Sequence, residues 1–413
     1  MCKFPLLVLF CLFQAQAQRP AEDRRVLKAL PLDFEEAPVD APTQPSPTPV
    51  VPAAPLVAEL VPAEPAAPPQ TKPADAVPAS PSVPENSPAP YLNTTPVEVS
   101  PIDQKPTGND AVRLQIFLDQ ANFGPGVVDG KIGQFSELAV KSWNELHGHP
   151  LDSWTAVNTA ARKAVPNPFA VAIVPEISEK WVDIKLTYKR SQQGNVKRMS
   201  YRSTVEFMSE RYHTDIPYLT ELNPNMKIYN LKPRDTLIVP NVNAFQIENL
   251  TGAAFKEDKA LSQRHAVIDT KLNQVRIYEA NLRALVVADP EAPASVANQS
   301  LIATFPITPG KPEFIRYGKW KMQNAVELPV WRFDQQLLDT GKRSNNAFDI
   351  AGGPNNPVGV LWCGLSKPGI GMHGTSDPET IGRSQSAGCI RLANWDIVRI
   401  PGLLRPGASV EIR

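Results

Sequence analysis

The sequence predicts a multidomain protein. A mainly β domain occupies the C-terminus, preceded by a small all-α domain, a small α+β domain and a disordered N-terminal linker. Three observations carry that prediction. Beyond about residue 264, apolar residues alternate in short runs separated by Gly, Pro and Asn turns, with few long amphipathic helices between them. That pattern belongs to a β-sandwich or barrel. Between about residues 108 and 166 the apolar spacing is helical. The chain holds 44 prolines in 413 residues, and Pro20 to Pro106 is the stretch densest in them. A segment made of proline, alanine, valine and small polar residues builds no core and favours extended polyproline conformations.

In chain order, residues 1–17 read as a secretory signal peptide: Lys3, an apolar run from Leu6 to Phe13, then Ala15-Gln16-Ala17 as a small-x-small cleavage site. The run is too short to span a membrane, so no transmembrane segment is expected after cleavage. Phe10 stands where a lipid-attachment signal at Cys11 would want a small residue. Cleavage would remove Cys2 and Cys11 and leave Cys363 and Cys389. Residues 18–107 form the Pro/Ala-rich linker, a spacer between the point of export and the globular part. Lys+Arg and Asp+Glu both number 42, for a formal net charge of zero. That balance argues against a nucleic-acid partner held by bulk electrostatics.

The all-α domain spans 108–166. Val112, Leu114, Gln115, Phe117 and Leu118 mark a helix, Asn122–Gly126 and Val128–Gly133 two Gly-bounded turns, and Leu138, Ala139, Val140 and Trp143 a second helix. The α+β domain spans 198–243. Val205, Phe207 and Met208 open one helix, Tyr218–Asn223 gives another, and Leu231–Pro240 reads as turn plus strand, with a first strand expected near Arg198 to Ser203. The C-terminal domain spans 264–413. His265–Asp269 and Gln274–Glu279 alternate like a hairpin, and further strands are expected at 300–307, 318–325 and 358–365. His147, His149, His213 and His265 read as structural or surface groups.

The chemistry gathers in Met372-His373-Gly374-Thr375 and Ser386-Ala387-Gly388-Cys389-Ile390-Arg391-Leu392. A thiol near its ordinary pKa is only a few per cent thiolate at neutral pH, so a nucleophilic cysteine needs a base or cation nearby. His373 can relay that proton. Gly388 admits close approach to the sulfur, and the N–H groups of Ala387, Gly388 and Cys389 can converge on a developing oxyanion. Two other roles for Cys389 stay open: a buried structural thiol, or a disulfide with Cys363 in an oxidising compartment. No metal site is expected, because Cys363, His373 and Cys389 make at most three ligands. No cofactor is implied.

These residues resemble the signature of the L,D-transpeptidases, peptidoglycan enzymes with a YkuD-type catalytic domain. The matches are His373-Gly374-Thr375, Ser386, Gly388-Cys389 and Ile390-Arg391-Leu392. Gly353-Pro354-Asn355-Asn356-Pro357-Val358-Gly359 and Ile381-Gly382 also fall where the family has similar runs. Ala387 departs from the pattern, standing where most members carry a second histidine. The upstream domains resemble a peptidoglycan-binding three-helix module and a LysM module, the latter a βααβ fold that binds N-acetylglucosamine-containing glycans.

The resemblance implies an exported enzyme of the periplasm or cell wall acting on peptidoglycan stem peptides and glycan strands. Cys389 would attack the L,D bond of a tetrapeptide stem, release D-alanine, and pass the acyl group to an amine. That amine is another stem's diamino acid (a 3-3 cross-link), a lysine of a wall-anchored protein, or a free D-amino acid; with water the enzyme is an L,D-carboxypeptidase. A wall-binding protein whose catalytic domain has decayed is the rival, with Ala387 as its argument. Arg391 either binds a substrate carboxylate or braces the loop through backbone carbonyls. Ser386 and Thr375 are expected to hold the loop and His373 in register, and Asn394 and Asp396 to cap a helix.

Overall fold

The computed structural model describes residues 103–279, 300–312, 314–336, 344–383 and 388–413. The expected signal peptide, nearly all of the linker, and Ser386 and Ala387 lie outside the described residues. The chain divides into two compact units, one holding 103–182 and Ser203–Phe245, the other Asp183–Arg202 and Gln246–Arg413.

The upstream unit begins with α1 (Gly108–Gln120), α2 (Gln134–His147) and α3 (Thr155–Ala164). Gln115 accounts for the second glycine turn. Its buried amide accepts from the N–H of Gly130 at 2.8 Å and Asp129 at 3.2 Å, and donates to the carbonyls of Val127 and Lys131. One side chain thereby satisfies a turn that has no ladder partner. α3 has no capping side chain of its own, and Asp103 supplies the cap from 51 residues away by accepting from Trp154 N–H at 3.1 Å. Hydrogen bonds from Thr155 and Trp154 hold that carboxyl below its ordinary pKa.

Next come β1 (Phe169–Ile173) and the single turn α4 (Ser178–Trp181). The chain then leaves this unit with α5 (Arg190–Gln193) and returns for α6 (Thr204–Arg211) and α7 (Ile216–Leu222). Ser203 caps α6 by accepting from Glu206 N–H, and Asp215 caps α7 by accepting from Tyr218 N–H. β2 (Thr236–Pro240) pairs antiparallel with β1, Phe169 opposite Pro240. Asn223 joins α7 to β2, accepting from Ile238 N–H and donating to the Ile238 carbonyl, both at 2.8 Å.

Two expectations are corrected here. The strand expected at 198–203 is absent from that position; β1 takes its place, and 198–202 belong to the other unit. The two small domains also share a core, with Val112, Ile116, Val128 and Val165 packed in one cluster with Tyr218 and Val242. His213 is structural as expected, buried with Nδ1 3.1 Å from the Asp119 carboxylate. His147 and His149 stack beside Trp143, His147 at 4.0 Å between centroids.

The second unit is mainly β. Its strands are β3 (Ala254–Phe255), β4 (His265–Asp269), β5 (Gln274–Tyr278), β6 (Leu301–Pro306), β7 (Gly318–Glu327), β8 (Trp331–Phe333), β9 (Phe348–Ile350), β10 (Leu361–Leu365), β11 (Gly371–His373), β12 (Ile390–Arg391) and β13 (Ser409–Ile412). Two short helices, α8 (Asn394–Ile397) and α9 (Ile400–Leu403), lie before β13. Among the described residues nine strands form one sheet in the order β12-β11-β10-β7-β13-β4-β5-β6, with β3 beside β7. The expected hairpin is β4–β5, Ile268 opposite Val275 and both fully buried. Each such side chain contributes about 1.5–3 kcal/mol of burial. His265 is structural, its Nδ1 2.8 Å from Ser409 Oγ across the β4–β13 pair.

The two edges of this sheet meet. Thr308, just past β6, and Arg391 on β12 exchange backbone hydrogen bonds of 2.9 and 3.0 Å. Curling an open sheet until its edges pair removes two exposed edges and gives it barrel character. Thr308 is fully buried, and its hydroxyl accepts from Gly382 N–H at 2.8 Å, so the seam also anchors the segment that returns toward β12.

The unit starts earlier than residue 264. Leu186 and Met199 pack with Ile350, surrounded by Val196, Trp331, Phe333 and Phe348. The Arg190 guanidinium sits 5.6 Å from the Trp331 ring centre. Met199 N–H donates to the Gly352 carbonyl at 3.0 Å, and Asn355 N–H donates to the Met199 carbonyl at 2.9 Å. Residues 183–202 thus brace the Gly353–Gly359 run.

Candidate active site

Cys389 lies directly before β12, beside the seam. β11 and β12 run parallel, Met372 opposite Ile390 and His373 opposite Arg391, so the histidine and cysteine segments are neighbours on one sheet edge. Gly388 has φ +111°, a backbone state that L side chains rarely adopt. Gly310, two residues beyond Thr308, packs so closely on the Gly388 backbone that a Cβ at 310 would collide with it. Closure of the sheet therefore puts Gly310 against the residue preceding Cys389.

His373 is 4% exposed and its Nδ1 lies 2.7 Å from the Gly374 carbonyl. A carbonyl can only accept, so Nδ1 carries the proton and Nε2 keeps a bare lone pair. The Trp362 ring stacks on His373, 5.7 Å between centroids and 18° between planes, across the β10–β11 pair. Burial pushes the imidazole down to about 4, the Gly374 hydrogen bond opposing and the Arg391 charge reinforcing the shift. Burial likewise raises the Cys389 thiol, against the lowering influence of a backbone hydrogen bond at Gly371 and of Arg391. The thiol donates to the Gly369 carbonyl at 3.5 Å. Both shifts favour the neutral thiol and the neutral imidazole.

The pH consequence has a definite sign. For Nε2 to serve as a base His373 must be neutral, and protonation sets in only as pH falls through about 4. The kcat/KM profile is expected to be flat between about pH 5 and 7, with its acid limb near 4 rather than near the ordinary histidine value of about 6.5. An acid limb centred near 6.5 would contradict this. The same shift bears on stability. The unfolded chain takes up the proton first, so stability is lost as pH falls below about 6.5, fully once it is below the folded value.

Cys363 is a separate matter. It is fully buried on β10 opposite Met372, and Met372 in turn faces Ile390. Two strand spacings of about 4.8 Å separate it from the Cys389 segment, beyond the roughly 7 Å that a disulfide spans. Neither of the two is disulfide-bonded. Burial raises the Cys363 thiol above the usual range. A thiol reagent is expected to label Cys389 in the native protein and Cys363 only after denaturation. Labelling of Cys363 in native Cys389→Ala would contradict that. Among the described residues no group of three or more His, Cys, Asp or Glu is placed to hold a metal.

The remaining candidates fall as follows. Thr375 is buried, and its Oγ1 accepts from Asp377 N–H at 3.2 Å, fixing the turn after the histidine. Arg391 is half-buried near Cys389 and Asp377, which favour its charged form against burial. Its buried Nε has no hydrogen-bond partner among the described residues. Ser386 and Ala387 lie outside the described residues.

Asn394 is a correction. α8 is preceded by Ala393 and has no side-chain cap, and the fully buried Asn394 side chain points instead at the motif turns. Its Oδ1 accepts from Val360 N–H at 3.1 Å, and a Cβ on either Gly359 or Gly374 would collide with that oxygen. Asn356, also fully buried, holds the preceding turn by donating to the carbonyls of Ile350 and Ala351 and accepting from Val358 N–H. Sequence reasoning missed Thr308, Asn394 and the stacking of Trp362. The one available signal was an asparagine and two glycines near the histidine and cysteine, whose mutual contact only the fold reveals.

Residues 283–412 match the YkuD family model, described as the L,D-transpeptidase catalytic domain. The Bacillus subtilis protein YkuD, named as an L,D-transpeptidase, is 41% identical over 59 residues, 14% of this chain and 36% of that protein. Bacillus subtilis YqjB, named likewise, is 36% identical over 66 residues, 15% of this chain and 38% of its own length. The chain thus spans little more than a third of the curated relatives it matches. An L,D-transpeptidase structure from Mycobacterium smegmatis overlaps 37% of this chain and 58% of its own at 13% identity and a TM-score of 0.26, too low to bear on the site. The C-terminal part of the chain, residues 283–412, thus matches the L,D-transpeptidase catalytic domain of the YkuD family.

Proposed function

We propose that the protein is an exported peptidoglycan L,D-transpeptidase. Cys389 attacks the L,D peptide bond of a tetrapeptide stem while His373 Nε2 takes the thiol proton. The tetrahedral intermediate collapses to a thioester as His373 returns that proton to the departing D-alanine amine. An acceptor amine then attacks the thioester, losing a proton to His373 as the thiol reforms. The N–H groups of Ala387, Gly388 and Cys389 are proposed to hold the oxyanion. The observation that carries the reading is the hydrogen bond from His373 Nδ1 to the Gly374 carbonyl, which leaves a bare base on the strand beside the cysteine.

Arg391 is proposed to bind a substrate carboxylate, because its Nε is buried beside the thiol without a partner. The upstream unit, with two strands flanking its later helices, is proposed to bind wall glycan, and export to rest on residues 1–17. Incubating the mature protein with a tetrapeptide-stem donor and analysing products by mass would test this. Release of D-alanine with a 3-3 dimer supports the transpeptidase. Release with a tripeptide alone makes it an L,D-carboxypeptidase, and no release favours a wall-binding protein.

A further inference from the structure

We infer that Asn394 is a positioning residue for the reaction: its side-chain amide fixes the Gly374 carbonyl, and through it the Nδ1–H form of His373. The inference rests on the catalytic reading above for its consequence, but not for its geometry. The peptide between His373 and Gly374 is held on one side by the sheet. Gly374 N–H donates to the Leu361 carbonyl at 3.1 Å, and Leu392 N–H donates to the His373 carbonyl at 2.8 Å. Neither bond touches the Gly374 carbonyl that receives Nδ1.

Asn394 Oδ1 occupies the space next to Gly374 and Gly359 where either residue would otherwise carry a Cβ. Its Nδ2 donates to the Pro354 carbonyl at 3.4 Å, while Oδ1 takes the Val360 N–H. The amide is thus tied to the Gly353–Gly359 run and wedged against the turn that follows the histidine. This contact explains why both motif segments need glycine: the two glycines and the asparagine share one small volume. A turn packed on three sides has one conformation, and its carbonyl keeps one direction. If the carbonyl swings away, the imidazole is free to move its proton to Nε2, and a protonated Nε2 cannot accept from the thiol.

The experiment is long-range proton–nitrogen correlation of histidine-labelled mature protein at neutral pH, with His373 assigned by its loss in His373→Gln. Wild type is expected to show protonated Nδ1 and bare Nε2. Asn394→Ala and Asn394→Ser are expected to show mixed or reversed tautomers. Asn394→Asp, which keeps the acceptor for Val360 N–H, should stay closer to wild type. In steady-state assays with the stem donor, Ala and Ser should lower kcat by about 10–10²-fold with KM little changed. Circular dichroism identifies the variants that fold; the Ser variant serves if Ala does not, and failure of both with a folded Asp variant is read from Asp against wild type. A wild-type tautomer in folded Asn394→Ala or Asn394→Ser overturns the inference, as does protonated Nε2 in wild type. Should wild type lack turnover altogether, the transpeptidase reading fails while the tautomers still decide the role of Asn394.

Discussion

His373→Gln is expected to lower kcat/KM for the stem donor by about 10²–10⁴-fold, the range of general acid–base catalysis, with the fold retained. Glutamine can still donate an amide hydrogen toward the Gly374 carbonyl and fill much of the volume beneath Trp362. It offers no basic nitrogen to the thiol. Because burial keeps both partners neutral at rest, no preformed thiolate is available to compensate. The residual activity should rise with pH as hydroxide or a free thiolate takes over, and the acid limb near 4 should vanish. Steady-state kinetics across pH would check both. A loss below tenfold would mean that Cys389 is activated by Arg391 alone.

Gly359→Ala should destabilise the protein by about 2–5 kcal/mol. Gly359 has φ +62°, in the left-handed region, and a Cβ there costs about 1–2 kcal/mol in backbone energy. The added methyl would also collide with Asn394 Oδ1 and the Gly374 backbone, and overpacking of this kind costs about 1–3 kcal/mol. Gly402→Ala is the control, since nothing lies within 4 Å of a Cβ there and its φ is ordinary. That change should be neutral or mildly stabilising. Urea titration of both variants measures the difference, and equal midpoints would contradict the packing account.

The legible parts of this chain were those whose signal is local. The β4–β5 hairpin was readable because the apolar run Ala266–Ile268 and the alternating Val275 and Ile277 flank a polar turn, and all five residues are fully buried. The pairing of the His373 and Cys389 segments was readable because the motif residues flanking both single them out together. β1 was not. Its sequence Phe169–Ile173 is apolar but bounded by Pro168 and Pro175, and its partner among the described residues, β2, lies more than sixty residues further on. Residues 183–202 carry no pattern that announces their place around Met199 and Ile350.

The meeting of the sheet edges at Thr308 and Arg391 was equally hidden, since it depends on the accumulated curl of every intervening strand. Asn394 was misread for a related reason. A polar residue at the start of a short helix usually caps it, whereas here the helix start is also the back wall of the His373 turn.

The central claim is that Cys389 is an activated nucleophile. Intact-protein mass spectrometry of the mature protein after exposure to a carbapenem, an acyl-donor mimic for enzymes of the resembled family, tests it most directly, with Cys389→Ala alongside. The account predicts one covalent adduct on wild type and none on Cys389→Ala. An unmodified wild-type protein with both thiols free, or an adduct that persists in Cys389→Ala, would contradict it.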